Sequence, residues 1–176
     1  TIASISKYGA LVPLGREGAT AELQAFLDYC DARGWDLFYA TADTMMGIAL
    51  AMDGNSGEGL SRIENVIDRC DKRGMENSAD WYRLFLCEVY VEILSGNGEA
   101  SVAVMLRNIR ALTGVMIFGP GKIKSLVDKV RKNEFWGQSG HHIGRAEMIL
   151  GLMYKAKRKH ALARAHLEEA RRIIEP

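Results

Sequence analysis

Proline is scarce in this chain of 176 residues, with three copies, and no apolar run approaches the roughly 18 to 20 residues that span a bilayer. Clusters of Val and Thr are also few, whereas Ala, Leu, Glu and Arg are abundant, which favours helices over sheets. Hydrophobic residues make up 48% of the chain and charged residues 26%, as in folded water-soluble proteins. We expect an all-α, cytoplasmic protein without a secretion signal or membrane contact. Because the chain begins at Thr1 rather than Met, we also expect it to be a piece of a longer protein.

Cysteine and histidine are too few and too widely placed to predict a catalytic or metal centre. Cys30, Cys70 and Cys87 are far apart and each lies among apolar residues, which predicts buried thiols. His141 and His142 are adjacent, so on a helix they would point about 100° apart and could not chelate one metal ion. No nucleophile has a base at a defensible spacing. We expect no enzymatic activity in this segment, and neither a metal nor a cofactor.

A glycine-rich stretch at residues 119–122, Gly-Pro-Gly-Lys, invites comparison with a phosphate-binding loop. The full spacing is absent, because Met116 stands where the first glycine would be and no Ser or Thr follows Lys122. The pattern predicts a turn over 114–121 that opens a short basic helix. A second irregular stretch is predicted at 135–140.

The net charge is +1, but the two parts of the chain differ in sign. Residues 1–120 carry 10 Lys/Arg against 16 Asp/Glu, a net −6, whereas residues 121–176 carry 13 against 6, a net +7. Such a division makes an acidic protein partner or head-to-tail self-association physically reasonable, and the alternative is solvated helix faces whose charge imbalance has no partner. A basic cluster at 154–160 falls at a predicted hairpin turn, where solvated charges are ordinary. We therefore favour a protein partner over nucleic acid.

Helical periodicity recurs along the chain and is broken by short glycine-containing turns, which predicts about eight helices. We expect one helical-repeat domain over 1–176. Its better repeats are predicted at 35–73 and 142–175, with a degenerate repeat at 78–113 and an irregular connector at 114–140.

Small and large apolar residues follow one specific spacing in the last 34 residues. Where two antiparallel helices cross closely, small side chains must face each other and larger ones fill the space around them. The residues that follow this spacing are Leu150, Gly151, Tyr154, Ala163, Leu167 and Ala170. The series resembles the tetratricopeptide repeat.

The same spacing recurs earlier in the chain, with Gly47 and Gly59 as the small residues. Gly47 and Gly151 are 104 residues apart, close to three periods of 34, so the chain between them has room for two more units. The resemblance implies a right-handed superhelical array of antiparallel helix pairs.

Two longer stretches carry a further resemblance. The runs SADWYRLFLCE at 78–88 and GHHIGRAEMILGLMYKAK at 140–157 resemble the C-terminal repeat region of bacterial multidomain class III adenylate/guanylate cyclases. This resemblance implies a regulatory or interaction tail. Nothing in the chain resembles the metal-binding aspartates of a cyclase domain, so no cyclase activity is implied for this segment.

We predict a partner-binding groove lined by the first helix of each pair. Its residues by helical spacing are Arg145, Met148, Leu152 and Lys155 near the end of the chain, and Thr41, Thr44, Ile48 and Met52 in the earlier repeat. The expected function is a non-catalytic protein-interaction or regulatory module that binds a protein or peptide of acidic character. The alternative is a small-molecule sensor that binds its ligand in the 114–140 region.

Overall fold

A computed structural model describes residues 19–96 and 102–175, and over this part of the chain the protein is all-α, as predicted. Eight α-helices are described and no strand, together with one short 3-10 turn at Trp136–Gln138. The helices are α1 (Ala19–Asp31), α2 (Asp36–Met52), α3 (Ser56–Lys72), α4 (Glu76–Ser95), α5 (Val102–Arg107), α6 (Ile109–Lys132), α7 (Gly140–Ala156) and α8 (His160–Ile174).

Three consecutive turns share one geometry. Gly34, Gly54 and Gly74 each have positive φ, between 63° and 75°, just after α1, α2 and α3. In each turn the next residue's N–H donates back to a carbonyl in the last turn of the helix, as in Asn55 N to Leu50 O at 2.7 Å. The turn after α7 has the same bonds with Arg158 at φ 56°, although a side chain disfavours that conformation.

The described residues form two compact units, residues 19–78 with 102–109 and residues 79–96 with 110–175. In the first unit α1, α2 and α3 follow one another as packed neighbours. The core between α1 and α2 contains Leu23, Leu27, Ala42, Met46 and Ala49.

Helices α2 and α3 approach closely where two glycines face each other. A Cβ on Gly59 would overlap the carbonyl oxygen of Gly47 and would lie 2.9 Å from the backbone nitrogen of Ala51. A Cβ on Gly47 would lie 2.7 Å from the side chain of Ile63. The small residues predicted at this crossing are therefore the ones that allow it.

The turn between α2 and α3 is held by residues about fifty positions later. Asn108 is buried and its amide donates to the carbonyl of Gly54 at 2.6 Å, while its Oδ1 accepts from the N–H of Gly57 at 3.3 Å. Arg107 donates to the same carbonyl at 3.1 Å. Asn108 also separates α5 from α6.

In the second unit α4 and α6 run antiparallel. Later residues of α4 contact earlier residues of α6, in the pairs Tyr90 with Lys122, Cys87 with Ile123 and Asp80 with Asn133, which directly follows α6. Asp80 also forms an ion pair with Arg83, and both side chains are buried. The end of α6 is thereby tied to the start of α4.

The turn predicted over 114–121 is wrong, because α6 runs through these residues without interruption. Pro120 lies inside the helix, buried, and cannot donate a hydrogen bond to the carbonyl of Met116. Burial of Val115, Ile123 and Val127 on the inner face outweighs the local preference for a turn.

Helices α7 and α8 form an antiparallel hairpin along a row of glycines. A Cβ on Gly144 would lie 2.5 Å from the side chain of Ile174, and one on Gly151 would lie 2.6 Å from Leu167. Leu167, rather than Ala163, is the nearest neighbour of Gly151. Of the other residues in the repeat spacing, the structure buries Leu150, Ala163 and Ala170 and half-buries Tyr154.

Candidate partner-binding surface

The predicted groove residues near the end of the chain all lie on α7, at spacings of three and four residues. Helical geometry therefore places them on one side of the helix. Lys155 is exposed, Leu152 is half-buried and Met148 is 36% exposed. Arg145, at the other end of this row, is the exception, because its side chain is only 13% exposed.

Arg145 is held by α4. Its Nε and one terminal nitrogen donate to the two carboxylate oxygens of Glu88 at 2.6 and 2.7 Å, a bidentate pair. Its guanidinium also lies 5.2 Å from the ring centre of Trp81 and 4.5 Å from that of Phe85, within cation–π range. One arginine thus joins the outer face of α4 to the predicted face of α7.

We call the combined region the α4–α7 surface, made of Trp81, Phe85, Glu88, Arg145, Met148 and Leu152. The residues from α4 are spaced by four and three, so they share one helix face and are each half-buried. Sequence reasoning missed them. The available signal was an aromatic-aromatic-acid row at helical spacing, but without the contact to Arg145 it resembles an ordinary core stripe.

The charge of Arg145 is already paired within the α4–α7 surface. Glu88 already neutralises Arg145 through two charge-assisted hydrogen bonds. An acidic partner would have to displace that carboxylate to reach the guanidinium, and displacement would expose a partly buried charge. The other four residues of the α4–α7 surface, Trp81, Phe85, Met148 and Leu152, are aromatic or aliphatic.

An aromatic cluster formed by Trp81, Trp136 and His142 borders this surface. The His142 ring lies 3.7 Å from that of Trp136 and 5.5 Å from that of Trp81, centre to centre. Its Nδ1 is 3.0 Å from the hydroxyl of Ser139, and within the described structure its buried Nε2 has no hydrogen-bond partner. Burial lowers the pKa of His142, and the charges of His141 and Arg145 lower it further.

The opposite side of α7 is fixed by a second ion-pair group. Glu147 accepts from Arg131, which lies on α6, and lies 2.7 Å from Nδ1 of His166 on α8. The His166 ring stacks on Tyr154 with a centre-to-centre distance of 5.3 Å. Since residues two apart point about 200° apart on a helix, Glu147 anchors the side of α7 away from Arg145.

The predicted groove residues of the earlier repeat lie in the first unit, on α2. The hydroxyl of Thr41 donates to the carbonyl of Leu37, and that of Thr44 to Ala40, both at 2.9 Å. Thr44 is buried and Ile48 packs against the core, so these two offer little surface to a partner. The Met52 side chain lies outside the described residues.

Among the described residues, no group of three or more His, Cys, Asp or Glu side chains could hold a metal ion. Cys30, Cys70 and Cys87 are all buried, as predicted, and burial raises the pKa of Cys87 to about 12. Among the same residues, no helix is both long enough and apolar enough to cross a bilayer.

Comparisons with protein-family models, with curated proteins and with solved structures gave no match for this chain.

Proposed function

We propose that this chain is a non-catalytic protein-interaction or regulatory module, built as a tetratricopeptide-like superhelical array. Support for the array comes from the close crossings at Gly47 and Gly59 and at Gly151, where alternating helices need small residues. The resemblance of 78–88 and 140–157 to cyclase tails supports a place in a bacterial signalling protein. In such a protein the enzymatic activity would belong to a separate domain.

The observation that carries the proposal is the composition of the α4–α7 surface. Interaction surfaces are enriched in aromatic residues, Met and Arg, and a few such residues supply most of the binding energy. Here Trp81, Phe85, Arg145 and Met148 meet this description on two neighbouring helices. The bidentate bond to Glu88 and the anchor at Glu147 fix the side chain of Arg145 and the position of α7, so little order has to be gained on binding.

The partner is a peptide or protein segment with apolar anchor residues. Trp81, Phe85 and Met148 offer apolar contact, while the Arg145 charge is already paired. We expect acidic residues of the partner to contribute mainly at the rim, near exposed Lys155, where they affect association rate more than affinity. The sensor alternative rested on irregular backbone over 114–140; the structure is helical over 114–132 and lends it no support.

The test is selection of peptides from a displayed random library against the folded chain, followed by affinity measurements on variants. Met148→Asp should weaken the binding of each selected peptide by about tenfold or more, because it places a charge in an apolar contact. Leu162→Asp is the matched control, since Leu162 is also an exposed apolar residue but lies on α8. Failure to enrich any peptide, or equal weakening by both variants, would reject the proposal.

A further inference from the structure

A second exposed surface lies on α6 and has no role in the proposed function. Met116, Ile117 and Phe118 are 56%, 63% and 64% exposed, although they are consecutive large apolar residues. One to two turns further on, the exposed side chains of Lys122 and Lys124 follow. We call these five residues the α6 surface. Contiguous exposed apolar side chains bordered by charge usually mark a contact with another molecule.

The charge of α6 limits what can cover it. Within its 24 residues the helix has six Lys or Arg and one acidic residue, Asp128. Two α6 surfaces placed face to face would therefore repel each other. A suitable occupant carries an exposed apolar side chain with carboxylates on the same helix.

The chain itself contains such a helix. Helix α1 has three acidic residues, Glu22, Asp28 and Asp31, and no basic residue. Tyr29 is 43% exposed, adjoins Asp28 and shares one helix face with Glu22, seven residues earlier, whereas Asp31 points to the other side of the helix. The guanidinium of Arg33 stacks 3.5 Å from the Tyr29 ring centre, which holds the ring in place. We call Glu22, Asp28 and Tyr29 the α1 surface.

We propose that the α6 surface binds the α1 surface of a second copy of this chain, so that copies associate head to tail. The charges are complementary, and the spacing agrees when the two helices run antiparallel. With Tyr29 against Ile117, Glu22 lies seven residues before Tyr29 and Lys124 seven residues after Ile117, each on the same helix face and about 10 Å further along in the same direction. Each contact then combines an apolar centre with an ion pair at its edge.

The contact joins two different surfaces, and this determines how association proceeds. Because the two surfaces differ, each bound copy still presents one unused surface of each kind, and association continues beyond the dimer unless the geometry closes a ring. Head-to-tail contact between copies therefore gives a mass distribution that rises with protein concentration. A contact within one chain would not.

Sedimentation velocity of the full chain, from low micromolar to about 200 μM, tests the proposal. We expect the weight-average mass to rise beyond that of a dimer at low salt. Raising the ionic strength to about 0.5 M, where the screening length is roughly 4 Å, should reduce the association. Ile117→Asp should abolish it, whereas Leu162→Asp on α8 should leave it unchanged.

Charge reversal tests the register. Glu22→Lys and Lys124→Glu should each weaken self-association by about tenfold, and the double variant should restore it, because the ion pair is re-formed with exchanged partners. Circular dichroism of each variant confirms that the helices remain folded. A chain that stays monomeric at about 200 μM overturns the proposal. So does a closed dimer that is unaffected by Ile117→Asp, or a double variant no better than the singles.

This inference and the proposed function fail separately. The α4–α7 surface and the α6 surface share no residue, so Ile117→Asp should still bind every peptide selected on the wild-type chain. If that variant keeps peptide binding while the wild type proves monomeric, only the head-to-tail contact is lost. If the wild type associates and no peptide is ever selected, only the proposed function is lost.

Discussion

Alanine at position 59 would place a methyl group between two helix backbones. Its Cβ would overlap the carbonyl oxygen of Gly47, and would lie 2.9 Å from the nitrogen and 3.1 Å from the Cβ of Ala51. Carbon atoms pack at about 3.5–4.0 Å, so α2 and α3 would have to separate by roughly 1 Å. No side-chain rotation relieves the overlap, because two of these three atoms belong to the backbone of α2.

The expected cost follows from two opposing effects. Overpacking of a tight core costs about 1–3 kcal/mol, and a backbone clash belongs at the upper end of this range. Replacing a helical glycine by alanine raises the stability of the helix by about 1 kcal/mol. We therefore expect Gly59→Ala to lower the free energy of unfolding by about 2 kcal/mol.

Gly121→Ala is the matched control, because Gly121 is also helical but a Cβ there would meet nothing within 4 Å. It should raise the free energy of unfolding by about 1 kcal/mol. Gly151→Ala should fall between the two, since its Cβ would meet the flexible side chain of Leu167.

Urea denaturation followed by circular dichroism measures these differences. With a slope of about 2 kcal/mol/M, Gly59→Ala should lower the transition midpoint by about 1 M and Gly121→Ala should raise it by about 0.5 M. Equal midpoints for these two variants would refute the claim that the glycines allow α2 and α3 to approach. A changed slope would instead indicate that the chain no longer unfolds in one transition.

Three further predictions concern single positions. Arg158→Gly should raise the free energy of unfolding by about 0.5–1 kcal/mol in the same urea assay, because glycine removes the penalty of positive φ but gains freedom when unfolded. Because the fold lowers the pKa of His142, its contribution to the free energy of unfolding is complete above about pH 6.5 and is lost as the pH falls below that value. In the urea assay, the free energy of unfolding should therefore fall less for His142→Phe than for the wild type between pH 7.5 and pH 5.5. Asp80→Ala should lower the free energy of unfolding by about 3–5 kcal/mol, because it removes the carboxylate that forms an ion pair with the buried Arg83. An unchanged midpoint of thermal unfolding would contradict this.

Local sequence signals predicted the hairpins well, because there the signals and the packing agree. The last repeat was predicted at 142–175, and α7 and α8 occupy Gly140–Ala156 and His160–Ile174. Gly54 marked the end of α2 through its positive φ, which a sequence pattern can anticipate. In each case neighbouring residues alone determine the element.

The failures arose where distant residues decide the structure. Pro120 and its flanking glycines indicate a turn locally, but burial against the rest of the unit keeps them helical. Asn108 ends a helix because it bonds to the turn at Gly54, more than fifty residues away. The pairing of Arg145 with Glu88, which reshapes the candidate site, likewise joins positions 57 residues apart, and no spacing rule predicts it.

The carboxylate of Glu147 is shared by two side chains from different helices, Arg131 and His166. Loss of the acid alone would remove the acceptor that both contact, and loss of either Arg131 or His166 would remove one of the two contacts that hold the carboxylate. We therefore expect diverged homologues either to keep all three residues or to replace all three by apolar residues. Correlated substitution at 131, 147 and 166 would be the evidence for this.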